Sequence, residues 1–230
     1  MMQFQQIDKL ENSLILEHKT NIEKLVKNMS NAEFKRMLLQ RKWISYAFTP
    51  LYDFGIDSMA DEKAKQILRT IRNDEYPREG PSHREDLIHD LKIIGLELDE
   101  VINESASKQT LKSIKNQFDF LKIREEQEMH DIKVVTFLRF GLEILVSVEY
   151  GVFVQRLEDF GLTRRNSRFY WPHFMHDMKQ HPLGTKGSTH SDMLSEQLGS
   201  MLDTLKKAAA CGRFTQKTYE LRSEFFRQKF

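Results

Sequence analysis

The 230-residue chain sets 35 Lys and Arg against 34 Asp and Glu and is 40% hydrophobic, so residues 1–230 have the material for one compact domain with a real core. The even charge leaves no basic field of the kind a nucleic-acid reader carries, and the single cysteine, Cys211, excludes an internal disulfide and a thiolate zinc cluster. No apolar run approaches the roughly 18 residues of a membrane span, and the N-terminus lacks a signal-peptide core, so a soluble cytoplasmic protein with no membrane partner is expected.

Ten glycines and five prolines punctuate the chain. Long stretches carry the helical period and none alternates as a strand does, which predicts an all-α domain of seven or eight helices. The first helix covers about residues 4–29, with His18 at its middle. Ser30 and Glu33 form a capping box for the second, which runs through Trp43, Tyr46 and Phe48 and should end or kink at Pro50. The aromatics here, Tyr52 and Phe54 included, suit a core or a pocket wall.

A third helix ends at Asp74 and Glu75. Pro77, Gly80 and Pro81 break the chain, and Ser82 caps a fourth helix that opens with His83 and stops at Gly95. Glu75 and His83 thus face each other across a short turn. Residues 96–128 read as a turn and an outer helix, with 122–128 a solvated face and His130 beyond it at the surface. Residues 134–160 form the most apolar helix, buried nearly all round, yet Glu143 and Glu149 interrupt it. A buried carboxylate costs several kcal/mol unless it is paired or bound to a cation. For Glu149 the choice lies between a cation and a base such as Arg139 or Arg156.

Four of the eight histidines fall between residues 168 and 190: His173, His176, His181 and His190. On a helix, His173, Asp177 and His181 would share one stripe at i, i+4 and i+8. Imidazole and carboxylate aimed at one point suit a redox iron site. After Pro182, helical regions follow at about 190–210 and 215–230.

In this order, AsnAspGlu at 73–75, SerHisArgGlu at 82–85, SerValGluTyr at 147–150 with GlyLeu at 161–162, and His173-x-x-x-Asp177 resemble the haem-oxygenase-like superfamily of seven-helix proteins. The pattern is most similar to its di-iron oxidases and oxygenases, the group that includes chlamydial proteins associating with death domains; the fold is also that of TenA and pyrroloquinoline-quinone synthase. The resemblance implies a non-haem di-iron oxidoreductase that activates dioxygen, as co-substrate, on a small organic substrate. It assigns Glu75, His83, Glu149, His173 and Asp177 to two iron ions, with His181 taken as the remaining ligand, and walls a substrate pocket with Trp43, Tyr46 and Tyr150. The chain departs from the family at Gln180, where a histidine is expected. Either a distorted helix end lets His181 ligate, which is the working expectation, or His176 or His190 takes its place. Three other outcomes stay open: a helical interaction module without metal, a haem protein using His18, and a cofactorless oxidase. A homodimer is one assembly the chain could form.

Overall fold

The computed structural model describes residues 2–74 and 80–230. Twelve α-helical segments follow one another, with no strand among the described residues: α1 (Met2–Asn28), α2 (Asn31–Tyr46), α3 (Phe48–Ser58), α4 (Glu62–Asp74), α5 (His83–Ile93), α6 (Leu98–Asn103), α7 (Lys108–Lys122), α8 (Gln127–Phe137), α9 (Leu145–Leu157), α10 (Tyr170–His176), α11 (His190–Met201) and α12 (Leu205–Glu224). The all-α architecture is as expected. Breaks inside the expected rods account for the larger number of pieces.

Three breaks matter. The helix expected to end at Pro50 ends earlier, at Tyr46, and Pro50 lies in the first turn of α3. Proline is tolerated there because the first-turn amides have no intrahelical partner. Next, α8 and α9 are one continuous rod joined by a π-helical stretch, Leu138–Ile144. At this stretch α12 comes so close that a Cβ on Gly141 would sit 2.7 Å from Thr218 Cγ2. The rod ends at Gly161, whose φ of +83° only glycine adopts freely. Last, the helix expected over 173–181 stops at His176.

The rod is the axis of the molecule. α1 and α10 pack along its α9 half, and α11 and α12 along its α8 half and the π stretch. Apolar clusters form on both halves, one around Tyr52, Leu138 and Leu194, the other around Phe34, Phe153 and Tyr170. Residues 122–128 are exposed as expected, but His130 is not: it is 1% exposed, on the buried side of α8.

Tertiary hydrogen bonds, not helical periodicity, hold the histidine segment. The buried carboxylate of Asp90 on α5 accepts from Ser167 Oγ at 2.6 Å and from the backbone N–H groups of Arg168, Phe169 and Tyr170 at 2.8, 3.0 and 3.1 Å. It thereby caps α10 from another helix, neutralising donors that a helix start leaves unpaired. Beyond α10, Lys179 bonds Asp8 and Glu11 of α1, each at 2.8 Å, and the Leu183 amide bonds Asp8. Glu11 also takes both terminal nitrogens of the buried Arg139. An Asp90→Ala protein is expected to lose about 3 kcal/mol of stability, since hydrogen bonds to a buried charge are worth more than neutral ones. Urea denaturation measures this, and a loss below about 0.5 kcal/mol would show that α10 does not depend on the cap.

Candidate metal centre

The ends of four helices and the π stretch open onto a cavity of about 460 Å³. Asp74 closes α4, His83 opens α5, Glu143 projects from the π stretch, His173 and His176 lie on α10, Asp177 caps its C-terminus, and His190 opens α11; all seven line the cavity. A π turn displaces the residues after it relative to an α-helix, and such turns recur at functional sites.

Ligand atoms of His176, Asp177 and His190 lie within 4.8 Å of one another. His176 Nδ1 is 3.3 Å from Asp177 Oδ1. His190 Nδ1 is 3.5 Å from both Asp177 Oδ1 and Glu143 Oε2, while its Nε2 donates to Asp74 at 3.0 Å. The second pair of imidazoles is adjacent: His173 Nε2 is 3.2 Å from His83 Nδ1. His173 Nδ1 donates to the Phe169 carbonyl at 2.7 Å, which leaves Nε2 turned toward His83.

Electrostatics set the charge states. Burial alone would raise Asp177, but hydrogen bonds from His176 and His190 and the His173 charge hold it down at about 2. For Glu143, burial and the Asp177 charge beside it raise the carboxyl, and His190 and Tyr52 only partly offset this. Burial would lower His190, yet its bonds to Asp177 and Glu143 push it up to about 11. The cation-free cluster therefore holds an imidazolium clamped between acids. Glu143 Oε1 accepts from the Tyr52 hydroxyl, whereas buried Oε2 has only the long 3.5 Å approach of His190 Nδ1 among the described residues. A buried acceptor met only at long range, inside a set of nitrogen and oxygen donors with no thiolate, fits a bound metal cation of the kind imidazole and carboxylate select.

Several sequence expectations change. Glu75 lies outside the described residues. His83, His173 and Asp177 do line one cavity. Glu149 does not: Arg41 bonds its carboxylate at 2.9 Å, Arg222 grips both oxygens, and His18 Nε2 donates at 3.3 Å. The two arginines hold the carboxyl well below the usual range despite burial, so Glu149 is a salt-bridge acid and not a ligand facing the cavity. Neither Arg139 nor Arg156 is its partner; Arg139 serves Glu11, and Arg156 bonds the Val26 and Met29 carbonyls.

His181 is also displaced. With α10 finished at His176, its half-exposed ring lies 3.9 Å from Asp192 and lines a surface depression beside Asp8 and Lys179. His190, together with His176, occupies the place expected of it. Tyr46 and Tyr150 line a narrow pocket next to the cavity, but Trp43 does not; its Nε1 donates to the Glu104 carbonyl. His18, turned to Glu149, is not available as a haem ligand. Sequence reasoning passed over Asp74 and singled out Glu143 only as a buried acid. That buried acid was the usable signal.

No protein-family model matches the chain, and no curated protein matches it in sequence. Solved structures do resemble it. One is a domain of unknown function with a haem oxygenase-like fold from Shewanella denitrificans, at a TM-score of 0.65 and 12% identity over 96% of this chain and 87% of that one. Another is a TenA family transcription regulator from a Silicibacter species, at 0.58 and 9% identity over 98% and 93% of the two chains. Matched along nearly its whole length by both, this chain has the haem-oxygenase-like fold.

Proposed function

We propose that the protein is a non-haem iron-dependent oxidase or oxygenase with a dinuclear site in this cavity, acting on a small organic substrate. The observation that carries the reading is the buried Oε2 of Glu143, which has His190 Nδ1 at a long 3.5 Å and lies beside the cluster of His176, Asp177 and His190. His83 and His173 would hold one ion, and Glu143, His176 and His190 the other. Asp177 would lie between them, since it bonds His176 and His190 and feels the His173 charge. When bound, the iron pair supplies the electrons that activate dioxygen.

The chain's own residues do the rest. Asp74 accepts the Nε2 proton of His190 and so turns Nδ1 inward, and the Phe169 carbonyl does the same for His173 Nε2. Partners of this kind orient metal-binding imidazoles, and their loss typically costs about 10- to 100-fold in affinity. Tyr52 orients Glu143 from the far side of the cavity wall. Phe48 and Met175 give the cavity apolar wall for a bound substrate.

Anaerobic Fe(II) titration with elemental analysis tests the assignment. His190→Ala is expected to lose most of the iron, and His181→Ala to keep it. Loss in His181→Ala with retention in His190→Ala would reverse the ligand set. The His190 proton gives a pH dependence as well. The raised value means that the proton stays on across neutral pH, so binding a cation at Nδ1 must release it. Apparent iron affinity should then rise about tenfold per pH unit for each proton released between about pH 6 and 8. An affinity independent of pH in that range contradicts the role given to His190.

A further inference from the structure

The second cavity lies beside the first. It is narrow, about 30 Å³, and shares Phe48, His83, His173 and Asp177 with the larger one. Its remaining walls include Arg41 and Arg222, both almost wholly buried, and the apolar side chains of Leu142, Val146 and Phe169.

Asp177 on the shared wall is engaged by His176 and His190, and Arg84 also lines the pocket; the buried ion cluster on the far wall does not balance. Two guanidiniums, Arg41 and Arg222, face one carboxylate, Glu149, and among the described residues no second acid bonds either of them. His18 adds a further donor to the same carboxylate. One positive charge is left over in the interior, where an unpaired charge is costly. The other buried arginine network is balanced: Arg139 and Lys179 meet Glu11 and Asp8. Lys42 and Lys133, also buried, each rest on backbone carbonyls instead of an acid, so what sets the Arg41–Arg222 surplus apart is that it borders a cavity. Hydroxyl groups stand at the same end: Arg41 Nη1 donates to Ser45 Oγ at 2.9 Å, and Ser45 Oγ is 3.2 Å from the Tyr150 hydroxyl, whose ring lies under the Arg41 guanidinium.

We propose that this pocket binds the carboxylate of a small organic acid at Arg41 and Arg222, with the apolar body of the acid reaching into the larger cavity. A planar carboxylate matches the guanidinium fork and supplies the missing negative charge. The pocket admits a group of that size and little more. Phe48 and Phe169 line this pocket together with His83 and His173, so an anchored acid presents its carbon chain or ring to the donor cluster. That the acid is the substrate rests on the function proposed above; that it binds does not, because the arginine pocket contains no iron donor beyond the shared wall.

Calorimetry on the full chain, freed of metal with a chelator, separates the two ideas. The probes are benzoate against benzamide and hexanoate against hexanamide, pairs alike in shape and unlike in charge. Wild-type protein is expected to prefer each carboxylate at least about tenfold. Arg222→Met leaves Glu149 neutralised by Arg41 alone and should bring the preference to about one. Ser45→Met, at a half-buried wall, should fill the pocket and weaken the carboxylates while keeping both guanidinium charges, at the loss of one Arg41 hydrogen bond; it decides the location if Arg222→Met does not fold. Equal binding of benzoate and benzamide by wild-type protein overturns the proposal, as does a preference that survives Ser45→Met. Inorganic phosphate bound as tightly as benzoate overturns it too, in favour of a plain anion site. Failure to load iron would leave these results intact and count only against the proposed oxidase.

Discussion

A Glu143→Gln protein is expected to bind iron at least about 100-fold more weakly than wild type while its metal-free form becomes no less stable. The two effects share one cause. In the cation-free fold, burial and the neighbouring Asp177 charge raise the Glu143 carboxyl. A carboxyl raised in the folded state destabilises it as pH climbs past the ordinary value of 4.5, because the fold resists ionisation that the unfolded chain accepts. Glutamine has nearly the same shape, can still bond Tyr52, and never ionises. It therefore relieves the folded protein at neutral pH and removes the anionic oxygen that a cation would use. Thermal melting and Fe(II) titration of one preparation read both effects. Full iron loading in Glu143→Gln removes the carboxylate from the ligand set; lost stability would mean that Glu143 is a structural acid.

Glu149→Ala should have the opposite signature: a loss of about 3–5 kcal/mol, because it leaves Arg41 and Arg222 buried without their anion. The same ion pairs make stability depend on acid. Burial would raise the Glu149 carboxyl, but Arg222 and Arg41 depress it far below 4.5. For a depressed acid the stabilisation is fully present above 4.5 and is lost as pH falls toward the folded value, so wild-type protein should weaken below about pH 4 more steeply than the variant. Unfolding by urea at pH 7 and pH 3 measures the difference. If Glu149→Ala keeps its stability and loses its iron, Glu149 returns to the ligand set and the arginine pocket loses its basis.

These two acids show how far the sequence could be read. The buried rod, the capping box at Ser30 and the cap at Ser82 are local signals, carried by side chains within a few residues of what they organise. They were legible, and so was the presence of buried carboxylates in the rod. Which carboxylate faces the cavity was not. Six residues at about 100° each put Glu143 and Glu149 about 120° apart on the rod. The choice depends on a π turn between α8 and α9 and on arginines from α2 and α12, 108 and 73 residues away from Glu149 in the chain.

His181 failed for a related reason. Helical spacing from His173 assumes that the helix continues, and α10 stops at His176 because the following residues are held from outside. Lys179 reaches α1, the Leu183 amide bonds Asp8, and Asp192 accepts from the His181 amide. No periodicity announces such long-range bonds. The result is a cluster in which His190, the most distant of the four histidines in the stretch, lies closest to the acids.

The measurement that bears most directly on the metal centre is X-ray absorption of wild-type protein loaded anaerobically with Fe(II). Two irons per chain, in shells of nitrogen and oxygen with histidine scattering at both, are the predicted result. Only traces of bound iron, or a sulfur shell that only the remote and buried Cys211 or a methionine could supply, would contradict it.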